Sequence, residues 1–293
     1  MGEEVLEQRY IDLYDEFTHT GMPRREFMER LAKLAGSAAA ATAIASVIGP
    51  NYAAAAVVPA NDARLTSEMI TYPGKAGPVK AYHVRPKGDA KLPAVVVIHE
   101  NRGLNPHIED VARRLALEGY TVIAPDALSP LGGTPSDRDK AAQMIRDLKD
   151  DDTVANYVAA VSYMKDPSRS TGKVGIIGFC WGGDRTNKTA LASPDVSAAS
   201  VYYGVAPKPD EVSKVHAPTI VNLGALDNRV DSTYPAFEAA LKQSGKDKIY
   251  KVYTYEGANH AFNNDTDPSR YVEAAAKQAW QRSLDLFKAN LKS

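Results

Sequence analysis

From residue 64 onward the hydrophobic pattern of the chain switches repeatedly between a strand period and a helix period. LTSEMITYP (65–73) and VKAYHVRP (79–86) alternate apolar and polar residues with Gly and Pro between them, as two half-exposed strands of a hairpin do. PAVVVIHE (93–100) is a short unbroken apolar run, the mark of a strand buried on both faces. HIEDVARRLALEG places apolar residues at 108, 111, 115 and 117 and ends on Gly119, which predicts a helix. YTVIAPDAL (120–128) is another buried strand, and 136–165 reads as one long or broken helix. KVGIIGFC (173–180) is a buried strand running into the helical pattern WGGDRTNKTALA. SAASVYYG, APTIVNLGALD and IYKVYTYEG predict three more strands, and 234–245 and 271–291 two more helices. Such βα alternation predicts a mostly parallel sheet covered by helices on both faces, with a functional site at the carboxyl ends of its strands.

The first 56 residues read differently. Residues 1–23 carry Glu3, Glu4, Glu7, Asp12, Asp15 and Glu16 against Arg9. The pair Arg24-Arg25 follows, with Phe27 and Met28 behind it, then the Ala-rich stretch GSAAAATAIASVIG and the small residues of NYAAAAVVPAN. A twin arginine, an apolar stretch and small residues near a cleavage point resemble a twin-arginine export signal, although Lys33 interrupts the apolar stretch. The expectation is a leader over 1–56, export to the periplasm, and one folded α/β domain over 57–293. The alternative is a cytoplasmic protein in which an amphipathic helix over residues 5–17 packs on the domain or on a partner subunit.

Composition narrows the function. Of 293 residues, 35 are Lys or Arg and 36 Asp or Glu, giving a net charge of −1, so binding nucleic acid through overall basic charge is excluded. No apolar run reaches the ~18–20 residues of a membrane span. The lone cysteine can form neither an intrachain disulfide nor a multi-cysteine metal site. KVGIIGFCWGG is not G-x-G-x-x-G and no phosphate-binding loop occurs, so no cofactor is expected. HENRG departs from H-E-x-x-H by Gly103, so no metal is expected either.

The chemistry sits at the predicted strand ends. Gly178-Phe179-Cys180-Trp181-Gly182 is G-x-C-x-G between strand and helix, the turn that lifts a nucleophile above a sheet. The following helix N-terminus favours thiolate over thiol at Cys180. Asp227 follows the strand PTIVNLGAL, and His260 follows IYKVYTYEGAN. The order nucleophile, acid, base is that of the α/β-hydrolases. His260 would serve as base, with Asp227 fixing its tautomer. Glu100 and Asn101 follow the strand that normally lends the second oxyanion donor.

Together, IHENRGLNPHIEDVARRLA, YTVIAPDAL, GKVGIIGFCWGG, GALDNRV and EGANHAFNND resemble the dienelactone hydrolase (carboxymethylenebutenolidase-like) family of α/β-hydrolases, over roughly residues 64–290. The resemblance implies the α/β-hydrolase fold and a Cys180–His260–Asp227 triad. It also implies an oxyanion hole from the backbone N–H groups of Trp181 and Asn101, and a Glu100 that interacts with the resting cysteine. Trp181 would double as a pocket wall, with Arg102 and Asn264 beside it. The two arginines with which the family's prototype holds its substrate carboxylate would fall at Ser129-Pro130-Leu131 and at Asn264, where this chain has none. Arg102 or Arg138 would have to substitute. The expected substrate is therefore a small-molecule ester or lactone other than dienelactone, cleaved through an acyl-thioester, with phosphotriesters as a side activity. The competing readings are a thiol-redox protein and a catalytically poor binder of small ligands on the same fold. Oligomeric state is not specified by any of these features.

Overall fold

Eight strands form one sheet in the computed structural model, which describes residues 7–51, 56–75 and 77–292. The strands are β1 (Leu65–Gly74), β2 (Gly77–Pro86), β3 (Ala94–Ile98), β4 (Thr121–Pro125), β5 (Val174–Phe179), β6 (Val196–Tyr202), β7 (Thr219–Gly224) and β8 (Tyr250–Tyr255). Their order is β1-β2-β4-β3-β5-β6-β7-β8. β1 and β2 pair antiparallel, β2 meets β4 antiparallel, and from β4 to β8 every pairing is parallel. The unbroken apolar runs belong to the parallel part because each of those strands feeds both faces. Val174 and Ile176 of β5 enter one core and Ile177 and Phe179 the other.

α4 (Pro106–Leu117) and α10 (Glu273–Leu291) supply Ile108, Val111, Leu115, Phe287 and Leu291 to one face. α5 (Arg138–Arg146), α6 (Asp150–Lys165) and α7 (Trp181–Ala192) supply Ile145, Tyr157, Val161 and Ala190 to the other. Asn105 caps α4 by accepting from the N–H groups of His107 and Ile108. The stretch over 136–165 is the broken helix rather than the long one. Asp137 caps α5, and α6 begins afresh at Asp150 with three acids in its first turn. α8 (Asn228–Asp231) and α9 (Tyr234–Ser244) follow β7.

Before the sheet come α1 (Gln8–Thr20), α2 (Arg24–Ala35) and α3 (Ala38–Val47). The sequence places a boundary at 56 and sets everything before it apart from the fold. Among the described residues the three helices instead lie on the domain, at the carboxyl end of the sheet. Tyr10, Leu13, Tyr14, Phe17, Phe27, Leu31 and Ala41 form a small core of their own. The contacts that hold this unit to the domain are polar. Gln8 Nε2 donates to Asn259 Oδ1 at 2.6 Å, Asn101 Nδ2 to the Thr18 carbonyl at 2.9 Å, and Arg138 to the Pro50 carbonyl at 2.6 Å. Asp15, buried on α1, meets Arg229 at 3.1 Å and Arg270 at 3.5 Å. The amphipathic helix expected over 5–17 is this α1, with residues 5 and 6 outside the described residues, as is the Ala-rich run at 52–55.

Burial works against the charge on Asp15, but His260, His19, Arg229 and Arg270 outweigh it and hold its carboxyl well below the usual range. A depressed carboxyl stabilises the fold above its unfolded value near pH ~4, and that contribution is lost as pH falls through the folded value. Asp15→Asn, which takes the paired carboxylate from Arg229 and one of two from Arg270, is expected to destabilise the full chain by about 3 kcal/mol at neutral pH. Urea unfolding measures this, and an unchanged midpoint would mean that α1 docks without Asp15.

Candidate active site

Cys180 follows β5 and stands at φ 57°, ψ −119°, a backbone region that costs a non-glycine residue about 1–3 kcal/mol. The glycines around it make the turn possible. A Cβ on Gly178 would collide with the Gly182 carbonyl and Thr186 Oγ1, one on Gly182 with the carbonyls of Ile98 and His99, and one on Gly183 with the Tyr202 carbonyl. Tyr203 after β6 (φ 38°) and Ala261 beside His260 (φ 65°) are the other non-glycine residues at positive φ among the described residues. All three adjoin one place, the carboxyl end of the sheet. Trp181 opens α7, so its N–H has no acceptor within the helix.

The structure brings Cys180, Asp227 and His260 together from three strand ends. Asp227 Oδ2 lies 2.6 Å from His260 Nδ1, and its Oδ1 accepts from the Val230 N–H, which orients the carboxylate. Nδ1 therefore carries a proton, and Nε2 is buried without a hydrogen-bond partner among the described residues. Burial pulls the ring's pKa down, but Asp15, Asp227 and the Cys180 thiolate outweigh it and push it up to about 10. Burial likewise pushes the Cys180 thiol up, and His19 and His260 outweigh that and hold it well below the usual thiol range.

His19 is the residue the sequence reading missed. Its Nε2 lies 3.1 Å from Cys180 Sγ, across 161 residues of chain. Its Nδ1 meets the Asp15 backbone carbonyl at 2.7 Å and the Asp15 carboxylate at 3.4 Å. The two imidazoles stand edge to face, their centroids 4.7 Å apart. Arg229 donates from Nε to Asp15, and its Nη2 lies 3.2 Å from His260 Nδ1, beside the Asp227 carboxylate that ring faces. The available signal was Asp15 and His19 four apart on an amphipathic helix, one turn of a single face.

Glu100 is buried at the same end of the sheet, and its Oε2 accepts from Asn264 Nδ2 at 3.1 Å. Burial raises its carboxyl above the usual range; His107 opposes that and the Cys180 thiolate adds to it. The hydrogen-bond partner of the sulfur is His19, in the place where the resemblance implies Glu100. Nor does Glu100 pair with Arg102, whose guanidinium donates to the Arg138 carbonyl and to Asp139.

A pocket of about 370 Å³ opens onto the sulfur. Its walls include Trp181 and Asn101, the side chains of Ile145, Tyr203 and Val205, and the cations Arg146, Lys188 and Arg229. Of the expected pocket residues, Trp181 lines it. Arg102, held by Asp139, lines instead the small cavity beside Cys180 and His260, and Asn264 lines neither, because it is buried between Glu100 and Thr266. Arg138 is likewise engaged, with Pro50. Ligand atoms of His19, Cys180 and His260 lie within 4.8 Å of one another, as do those of Asp15, Asp227 and His260, so either set is close enough to hold a metal ion.

The family model described as the dienelactone hydrolase family matches residues 79–291. A candidate carboxymethylenebutenolidase of Escherichia coli O157:H7 is 33% identical over 251 residues, covering 80% of this chain and 91% of that protein. A hydrolase fragment of Escherichia coli K12 is 50% identical over 107 residues, 36% of this chain and 92% of the fragment. Among solved structures, a candidate dienelactone hydrolase from Klebsiella pneumoniae superposes with a TM-score of 0.67 at 30% identity, covering 76% of this chain and 98% of that one. With its mostly parallel sheet and the residues gathered at the strand ends, the chain belongs to the dienelactone hydrolase family of α/β-hydrolases.

Proposed function

We propose that this hydrolase cleaves carboxylic esters or lactones through a Cys180–His260–Asp227 triad and an acyl-thioester on Sγ. The observation that carries this reading is a buried thiol on a strained strand–helix turn, with a carboxylate-backed imidazole beside it and an open pocket above it. Sγ attacks the carbonyl carbon, and the carbonyl π electrons move to oxygen, which the N–H groups of Trp181 and Asn101 receive. The C–O bond then breaks, the alcohol leaves with a proton from imidazolium, and the acyl group stays on sulfur. Water, giving up a proton to imidazole, adds to the thioester carbonyl. The C–S bond breaks and the thiolate returns.

The pocket supports a small substrate with an apolar part against Ile145, Tyr203 and Val205. Dienelactone itself is disfavoured. Ser129-Pro130-Leu131 and Asn264 stand where the prototype's arginines would, and Asn264 is committed to Glu100. The cations that do reach the pocket, Arg146, Lys188 and Arg229, enter from other elements, which supports an ester whose negative group lies elsewhere.

Cys180→Ala is expected to lower kcat/KM for 4-nitrophenyl esters by at least about 10³ with the fold intact. Mass spectrometry of wild type quenched in turnover should find the acyl group on Cys180. Full activity in the alanine variant would remove the nucleophile assigned here.

The thiol's depressed pKa gives a pH test. Alkylation by iodoacetamide should remain fast well below the ~8.5 of a free cysteine and slow only when acid protonates the thiolate. Because the thiolate raises Glu100, the Glu100 charge opposes the thiolate in return. Glu100→Gln is therefore expected to move the alkylation midpoint to still lower pH and to speed inactivation by peroxide. An unmoved midpoint would show that Glu100 does not feel the sulfur.

A further inference from the structure

The family match begins at residue 79, yet the hydrogen-bond partner of the nucleophile stands at residue 19. We propose that His19, on the last turn of α1 and backed by Asp15, is a catalytic residue that takes the Cys180 proton and delivers it to the alcohol leaving group. The proposal rests on Cys180 being the nucleophile.

Three observations carry it. His19 Nε2 is 3.1 Å from Sγ, and Nδ1 is fixed on Asp15, through the backbone carbonyl at 2.7 Å and the carboxylate at 3.4 Å. The free nitrogen is thus the one that faces sulfur. His19 and Cys180 both line the 370 Å³ pocket and His260 does not; all three line a second, much smaller cavity of about 20 Å³. A leaving group that departs into the larger pocket meets His19 first. Finally, α1 is held in place: Asn101, which bears one of the N–H groups proposed for the oxyanion, donates its side chain to Thr18, next to His19, and Arg229 and Arg270 pin Asp15.

The steps balance on one ring. The thiol proton passes from Sγ to Nε2. Sγ bonds to the carbonyl carbon, and the C–O bond breaks with its electron pair taking the proton from Nε2. The neutral ring then accepts a proton from water as hydroxide adds to the thioester. The C–S bond breaks, and thiolate and imidazolium are restored. The imidazole that moves the proton in the proposed cycle is thereby His19, and His260, charged and backed by Asp227, serves the triad by holding the thiolate.

Leaving-group dependence tests this, because nitrophenolate departs without a proton and an alkoxide does not. In the full chain, His19→Gln is expected to lower kcat/KM by about 10²–10³ for an ethyl ester and by less than about tenfold for the 4-nitrophenyl ester of the same acid. Added imidazole should restore part of the ethyl-ester rate in His19→Ala. Asp15→Asn, which leaves the ring in place, should show the same selective loss in smaller degree, and serves if neither His19 variant folds. Equal losses on both esters, or none, would overturn the proposal and leave His19 a packing residue. Cys180→Ala, run beside them, separates the two ideas: if it keeps full activity, the nucleophile falls, whatever His19 does.

Discussion

Everything at this site depends on one backbone turn. β5 delivers Cys180 to the carboxyl edge of the sheet, and only at φ 57° can the chain leave the strand, start α7 and still aim Sγ upward. The local strain is about 1–3 kcal/mol, and the packed sheet holds it. Close approach is the condition: Gly178 against Gly182, Gly182 against the end of β3, Gly183 against Gly204. The same crowding brings the loop after β3, with Glu100 and Asn101, beside the sulfur. A single geometric requirement thus fixes Cys180, the start of the helix that favours a thiolate there, and the loop opposite it.

Charge is the second layer built on that turn. A buried thiolate is costly unless cations face it. The His260 imidazolium does, with Asp227 behind it, and the His19 ring, held on Asp15, adds a second contact to the sulfur. Arg229 and Arg270 then compensate Asp15, and Asp267 compensates Arg270 at 2.7 Å. The alternation of signs runs outward from the sulfur through α1 and into the loop before α10. It explains why a helix with its own small apolar core is fastened to the domain by polar side chains: the domain surface it covers is the charged rim of the site.

The sheet was legible because its signals are local. The unbroken runs at 94–98, 121–125 and 174–179 could belong only to strands buried on both sides, and residues just past strand ends identified Cys180, Asp227 and His260. The break at 147–149 was half visible, since Asp137 and the acids at 150–152 are both helix-start signals within one apolar pattern. Arg102 and Asn264 were placed by their neighbours in sequence, and neither lines the main pocket, because their partners, Asp139 and Glu100, are distant in the chain. His19 was out of reach for the same reason. Nothing near it says what a helix tip will touch 161 residues later.

The N-terminal segment carries two independent sets of features. Of those resembling an export signal, Arg24-Arg25 face outward, Arg25 pairing with Glu29 on its own helix and Arg24 with the exposed Asp139, while the Ala-rich stretch lends Ala41 to the small N-terminal core. Those that engage the site, Asp15, Thr18 and His19, precede the arginines and face inward. A chain cut after the Ala-rich stretch would lose the second set along with the first. Removal of the segment is therefore not neutral for the enzyme. It would strip Asp15 from Arg229 and Arg270, remove the His19 contact from Sγ, and open Cys180 to water on the side that α1 now covers.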